Sequence, residues 1–101
     1  MLELRAEHFN MYALGVSDEQ ELQHAGAVDV LVELASGERY AGTVRTLADV
    51  DAHLTRMYVP VTDTIVVRDL TPDVILTAVY DLLQGGVLDE VFLEVLEQVE
   101  G

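Results

Sequence analysis

Two short strings of the sequence place a histidine near carboxylates at spacings that metal sites use. Glu21 and His24 stand three residues apart, the Glu-x-x-His spacing found in di-iron helical bundles. Those bundles need two such pairs and two further glutamates on four helices, whereas this chain supplies one pair. We therefore expect Glu21 and His24 to lie on the surface without a metal.

Asp49, Asp51 and His53 form the second string. On a helix only Asp49 and His53, four residues apart, point to the same side. Asp49 also follows Thr46 by three residues, where it completes a helix-capping pattern. Two ligands on a surface hold a metal weakly, because structural sites usually need four. The sequence thus predicts no metal site and no cofactor.

Patterns that support catalysis are missing from the chain. The two serines, Ser17 and Ser36, lie outside any Gly-x-Ser-x-Gly elbow. The chain has no cysteine for a thiolate, no lysine for a Schiff base and no glycine-rich phosphate loop. Carboxylates are too numerous to single out a general acid or base. We expect no catalytic residues and no enzymatic activity; a small carboxylate-dependent enzyme is the least favoured alternative.

The charge of the chain limits its partners. Its 101 residues include 19 aspartates and glutamates against five arginines, which gives a formal net charge of −14. Phosphate backbones and anionic membrane surfaces attract basic proteins and repel acidic ones. We therefore expect neither nucleic acid nor a membrane as a partner.

The segment after Arg68, the last basic residue of the chain, contains eight acidic residues and no basic one. Acidic surfaces steer basic proteins toward them by long-range attraction, as acidic inhibitors of basic nucleases do. The sequence therefore predicts a non-catalytic, immunity-type or inhibitor-type module that binds a basic protein. The residues expected to form its binding surface are Asp81, Asp89, Glu90, Glu94 and Glu97.

Two other interpretations of the acidity and the apolar positions stay open. The charge can serve solubility alone. The chain can also be a homo-oligomeric structural protein, such as a homodimer, with Leu31 and Tyr58 at its interface.

Length and hydrophobicity predict a single domain over residues 1–101. Half of the residues are hydrophobic, which is too many for a disordered chain, and 101 residues enclose one core. Charged residues follow Met1 closely, so no signal peptide is expected. No apolar run approaches the roughly 18 residues of a membrane span. These features together predict a cytoplasmic protein.

Hydrophobic periodicity in the first half of the chain predicts mostly strands. Residues 2–14 alternate as a strand does, although helical spacing also fits. Residues 17–26 are polar and predict a loop with a turn of helix, capped by Ser17 and Gln20. Residues 28–46 predict a hairpin around a three-residue turn that ends at Gly37. This register places Val32 opposite Tyr40 and Glu33 opposite Arg39.

The second half of the chain predicts three helices and one strand. Thr46 opens the first helix, whose apolar face contains Leu47, Val50, Leu54 and Met57. The β-branched run over residues 62–68 predicts a buried strand. The strand–helix–strand order implies a right-handed crossover if both strands lie parallel in one sheet. Thr71 and Pro72 open a helix over residues 70–84 that Gly85 and Gly86 end.

Beyond those glycines, apolar residues continue at helical spacing through Leu88, Val91, Phe92, Val95, Leu96 and Val99. This pattern predicts a second amphipathic helix that packs on the first as a hairpin. The order of elements predicts an α+β domain with a small mixed or antiparallel sheet and helices on one face.

Overall fold

The computed structural model describes residues 1–52 and 63–95 as an α+β fold. Its strands are β1 (Leu2–Arg5), β2 (Phe9–Leu14), β3 (Ala27–Leu34), β4 (Arg39–Thr46), β5 (Thr64–Val67) and β6 (Leu93–Glu94). Its helices are α1 (Glu19–Gln23), α2 (Leu47–Ala52), α3 (Pro72–Gln84) and α4 (Leu88–Val91). Among these described helices, none has the length and apolarity to cross a membrane.

The strands form one mixed sheet in the order β1-β2-β3-β4-β5. The pairs along this path are antiparallel except β4 with β5, which is parallel. Strand β6 pairs with β4 beside β5, at the opposite end of the same edge. The buried residues Ile75 and Val79 of α3 belong to the same apolar core as the inward residues of the strands. The predicted α+β class is confirmed.

Residues 2–14 form two strands instead of the single predicted strand. The side-chain parity explains the break, because Leu4 is buried at an even position, whereas Phe9 and Met11 are buried at odd positions. An uninterrupted strand would place Leu4 and Met11 on opposite faces. A short turn corrects the parity, and in it the Ala6 N–H donates to the Phe9 carbonyl oxygen at 3.0 Å.

The central hairpin has the predicted register. Val32 lies opposite Tyr40 and Glu33 lies opposite Arg39. The three-residue loop closes where the Leu34 N–H donates to the Glu38 carbonyl oxygen at 2.8 Å. Gly37 has a φ of +99°, which a residue with a side chain rarely adopts. The turn glycine and the apolar alternation therefore specify the same pairing.

The caps of α1 and α2 are partly those expected from the sequence. In α1 the cap is Asp18, whose carboxylate accepts from the Glu21 N–H at 2.8 Å, so the predicted pair of Ser17 and Gln20 is wrong by one residue. In α2 the predicted cap is confirmed, since the Asp49 N–H donates to Thr46 Oγ1 at 3.0 Å.

The predicted apolar face of α2 is wrong at its first residue. Leu47 is 66% exposed, so it does not belong to the core. Leu54 and Met57 lie outside the described residues.

Helix α3 begins and ends at the signals read from the sequence. Thr71 Oγ1 accepts from the Val74 N–H at 3.4 Å, and Pro72 occupies the first turn. At the other end the Val87 N–H donates to the Leu82 carbonyl oxygen at 3.0 Å while Gly86 has a φ of +71°. This is the Schellman arrangement, in which a left-handed glycine lets the chain turn back over the last carbonyls.

The strand predicted over residues 62–68 exists as β5, but it is not buried on both faces. It lies at the end of the strand path, and Val66 is 46% exposed. Only Ile65 and Val67 pack against the core. The continuous β-branched run therefore forms an edge strand that packs on the core with one face and is exposed on the other.

The predicted second amphipathic helix is wrong beyond its first turn. Helix α4 ends at Val91, and Phe92 is extended with a φ of −105° and a ψ of 155°. Strand β6 then pairs with the start of β4, and the Val95 N–H donates to the Arg39 carbonyl oxygen at 2.8 Å. This pairing satisfies backbone N–H and C=O groups at the start of β4 that β5 does not reach. Their pairing stabilises the extended chain more than the helical spacing of the apolar residues would stabilise a helix.

Candidate functional site

Ionic side chains on the outer face of the sheet balance one another. We call outer face the side of the sheet opposite the core. Strand alternation from the buried residues, together with the pairing registers, assigns to it three acids and three arginines. They are Glu3, Asp29, Glu33, Arg5, Arg39 and Arg45.

These arginines are already paired. Arg5 Nε lies 3.1 Å from Glu3 Oε2, and Arg39 Nε lies 3.5 Å from Glu33 Oε2 across the strand pair. Arg45 Nε lies 2.9 Å from Asp49 Oδ2, a pair that is largely shielded from solvent. Three of the five arginines in the chain are thus neutralised locally.

The acids between residues 69 and 95 have no such neighbours. Each is exposed, and none forms an ion pair with another residue of the described ranges. They are Asp69, Asp73, Asp81, Asp89, Glu90 and Glu94. The negative charge of the molecule is therefore concentrated away from the outer face of the sheet.

The predicted binding residues are distributed over three elements. Asp81 lies on α3, where it lines a shallow groove with Asp73 and Thr77. Asp89 and Glu90 lie in the first turn of α4. Glu94 belongs to β6, which corrects its predicted place on a long helix. Glu97 lies outside the described residues.

The structure brings two of these acids together around Tyr40 of β4. The Tyr40 side chain is buried, with 7% of the residue exposed. Burial raises the pKa of its phenol, and the negative charges of Glu38, Glu94 and Asp89 raise it further. The three carboxylates therefore lie near enough to act on one phenol, and we call this group, with Tyr40, the Tyr40 acidic surface.

Each member of the Tyr40 acidic surface is positioned by a different element. Glu38 follows the β3–β4 turn, and Glu94 lies directly opposite Tyr40 in the β4–β6 pair. Asp89 lies in α4, whose first turn favours negative charge. Sequence reasoning missed Glu38 and Tyr40, because only the pairing of β6 with β4 brings the turn and the C-terminal acids together.

The residues considered for metal binding are engaged otherwise. The Glu21 carboxylate accepts from the Ser17 N–H, and His24 Nδ1 lies 2.9 Å from the Gln20 carbonyl oxygen of its own helix. Asp49 pairs with Arg45, while His53 lies outside the described residues. Within residues 1–52 and 63–95, no three potential ligands lie close enough to hold a metal ion.

Comparison with models of protein families, with curated proteins and with solved structures yields no match to this chain.

The raised pKa of Tyr40 makes the stability of the fold sensitive to alkaline pH. The unfolded chain releases the phenol proton near the ordinary pKa of 10.0, and the folded protein releases it at higher pH. Below the ordinary pKa the phenol is neutral in both states, and the free energy of unfolding does not depend on its titration. As the pH rises from that value through the folded pKa, the unfolded chain loses the proton more readily than the folded protein, so the free energy of unfolding falls. We expect the urea midpoint of the wild type to fall more steeply between about pH 9 and pH 12 than that of Tyr40→Phe.

The matched control is Tyr80→Phe, which removes a phenol from a ring whose residue is 39% exposed. Parallel curves for the wild type and Tyr40→Phe would contradict the assignment of Tyr40 to a buried, negatively charged surrounding.

Proposed function

We propose that the protein is a non-catalytic binding module that docks a basic protein on the Tyr40 acidic surface. The observation that carries the proposal is the β4–β6 pairing, which sets Glu94 opposite the buried Tyr40, whose phenol also feels the charges of Glu38 and Asp89. None of the three carboxylates forms an ion pair with a described residue. Their charge is therefore available to a partner.

The chemistry of this surface fits arginine or lysine side chains. Ionised carboxylates accept charge-assisted hydrogen bonds, and an arginine can engage one of them through two parallel bonds. The β4–β6 pairing and the β3–β4 hairpin fix the backbone positions of Glu94 and Glu38 before the partner arrives. Preorganised groups lose less conformational entropy on binding.

The net charge of −14 supports the same partner class. Summed surface charge raises the association rate of an oppositely charged protein. Acidity that served solubility alone would not require carboxylates to gather at one aromatic residue. The proposal therefore favours a localised binding surface over general solvation.

Affinity capture with two variants of equal net charge tests the proposal. Asp89→Asn with Glu94→Gln removes two charges from the Tyr40 acidic surface. Glu19→Gln with Asp51→Asn removes two exposed charges from α1 and α2, near the other end of β4. At low salt, the wild type and the second variant should retain the same basic protein from a lysate of the natural source, whereas the first variant should lose it.

Equal retention by both variants would mean that charge acts without regard to position. Failure of the wild type to retain any basic protein would favour solubility as the role of the acidity. Either result would contradict the proposed docking surface.

A further inference from the structure

The outer face of the sheet exposes several large apolar side chains of the described strands. The core lies on the other face, where the inward residues of β2, β3 and β4 pack with α3. On the outer face Leu14 is 42% exposed, Val66 is 46% exposed and Leu93 is 62% exposed. An antiparallel sheet with one wet face normally alternates apolar with polar residues, and single exposed apolar residues on it are ordinary, so the informative feature is a contiguous row of them.

Apolar residues cross the middle of this face in a single row. Tyr12 lies opposite Leu31, Leu31 opposite Ala41, and Ala41 opposite Leu93. Residues directly opposite one another in a sheet point to the same side and touch. The row therefore forms a continuous apolar band across β2, β3, β4 and β6.

Charged residues flank the band and nearly cancel one another. The three acids and three arginines of the outer face, counted together with Asp49, which pairs with Arg45, carry a net charge of −1, in a chain whose formal net charge is −14. Glu33 and Arg39 pair across strands, and Asp29 accepts from Thr43 Oγ1 at 2.9 Å. Groups already paired within the face lose less on being covered than unpaired charges would.

We propose that the outer face binds the outer face of a second copy of this chain, so that two sheets stack into a symmetric dimer. Two strongly acidic molecules repel one another, and the repulsion is weakest where the faces that meet carry the least net charge. A two-fold arrangement places the same patch on both partners, so an apolar centre meets an apolar centre. A basic partner, in contrast, is attracted to the opposite, acidic side.

The size of the face limits how such a dimer can form. Its five strands β1 to β5 have 4, 6, 8, 8 and 4 residues, which at about 3.4 Å per residue and about 4.8 Å between strands cover about 490 Å² of flat area. Side chains that stand out from the sheet expose more surface than this flat area. Each partner in a stable interface buries about 600–1,000 Å². Nearly the whole outer face must therefore take part, which predicts that its centre is sensitive to substitution.

The dimer leaves both Tyr40 acidic surfaces outside the interface, because α4 and the inward side of β4 lie on the other layer. The inference is independent of the proposed docking function. The two respond oppositely to salt: screening weakens attraction to a basic partner, whereas it relieves repulsion between two acidic copies.

Sedimentation equilibrium over a range of protein concentrations and at two salt concentrations tests the dimer. The wild type should reach twice the 11.1 kDa mass of one chain, and its dimer dissociation constant should fall as salt rises. Leu31→Lys places a charge at the centre of the band, and Leu93→Lys places one at its exposed end. Each should raise the dissociation constant about tenfold or more.

Leu47→Lys is the matched control, because it introduces the same charge at an apolar residue that is 66% exposed on α2. It should dimerise as the wild type does, and circular dichroism should show all three variants folded. The exposure of Leu93 keeps the test valid if Leu31→Lys fails to fold. A wild type that stays monomeric, or a dimer that Leu93→Lys weakens no more than Leu47→Lys does, would overturn the inference.

Discussion

Replacing Phe92 by alanine should lower the free energy of unfolding by about 3–5 kcal/mol, the usual cost of removing a buried aromatic side chain. Phe92 is 1% exposed and is among the largest fully buried side chains. It is also the residue at which α4 ends and the chain turns into β6. Its ring therefore holds the last described segment against the sheet.

Gly42 of β4 makes the room for that ring. A Cβ placed on Gly42 would overlap Phe92 Cδ1 and would lie 2.7 Å from the Asp63 carbonyl oxygen. Backbone and ring would both have to shift, so Gly42→Ala should cost about 2–3 kcal/mol by overpacking. With Phe92→Ala already present, the same change should cost distinctly less, because the overlap with the ring is gone.

A double-mutant cycle on urea unfolding measures this coupling. Leu47→Ala is the control, since truncating an exposed leucine should change stability by less than about 0.5 kcal/mol. If the effects of Gly42→Ala and Phe92→Ala simply added, the ring would not occupy the space above Gly42. The packing of β6 on β4 would then be wrong, and a continuous helix beyond Leu88 would again be tenable.

The parts of the fold predicted from sequence are those in which several local signals agree. In the central hairpin, the turn glycine, the apolar alternation and the pairing of Glu33 with Arg39 all specify one register. In α3, the cap at Thr71 and the glycines after Gln84 delimit an apolar stripe of helical period. Each signal lies within a few residues of the structure that it specifies.

The parts that failed depend on contacts between distant residues. The apolar spacing after Gly86 fits a helix, and nothing within that segment reveals that the edge of β4 needs a partner there. Phe92 leaves the helix because Gly42, fifty residues earlier, gives its ring a place. A strand edge that competes with an amphipathic helix becomes visible only when the sheet is assembled.

The candidate site divides in the same way. Sequence reasoning named Asp89 and Glu94 because they belong to a segment without basic residues. It did not associate them with Glu38 and Tyr40, since that grouping follows from the β4–β6 register. It also included Asp81, which α3 places beside Asp73 and Thr77. The composition of the segment after Arg68 showed where acidic residues are plentiful. The β4–β6 register determined which of them lie near Tyr40.

Reversing two charges of the Tyr40 acidic surface should slow association with a captured basic partner by about 10–100-fold at low salt. The change is Asp89→Arg with Glu94→Arg. Because it alters the net charge by four units wherever it is made, a matched variant is essential. Glu19→Arg with Asp51→Arg makes the same alteration on α1 and α2 and should slow association much less.

The salt dependence of the association rates separates long-range attraction from direct contacts at the docking surface. At about 0.1 M salt the Debye length is about 10 Å, so attraction between distant charges is screened while contacts at the docking surface persist. In stopped-flow measurements the association rate of the wild type should fall steeply as salt rises. The association rate of the control variant should be slightly lower and should fall in the same way. The Tyr40-surface variant should show a flatter dependence and a faster dissociation rate, because its contacts are lost as well as its steering. If the two charge-reversed variants had equal association and dissociation rates, net charge alone would determine binding. The Tyr40 acidic surface would then not be the docking site.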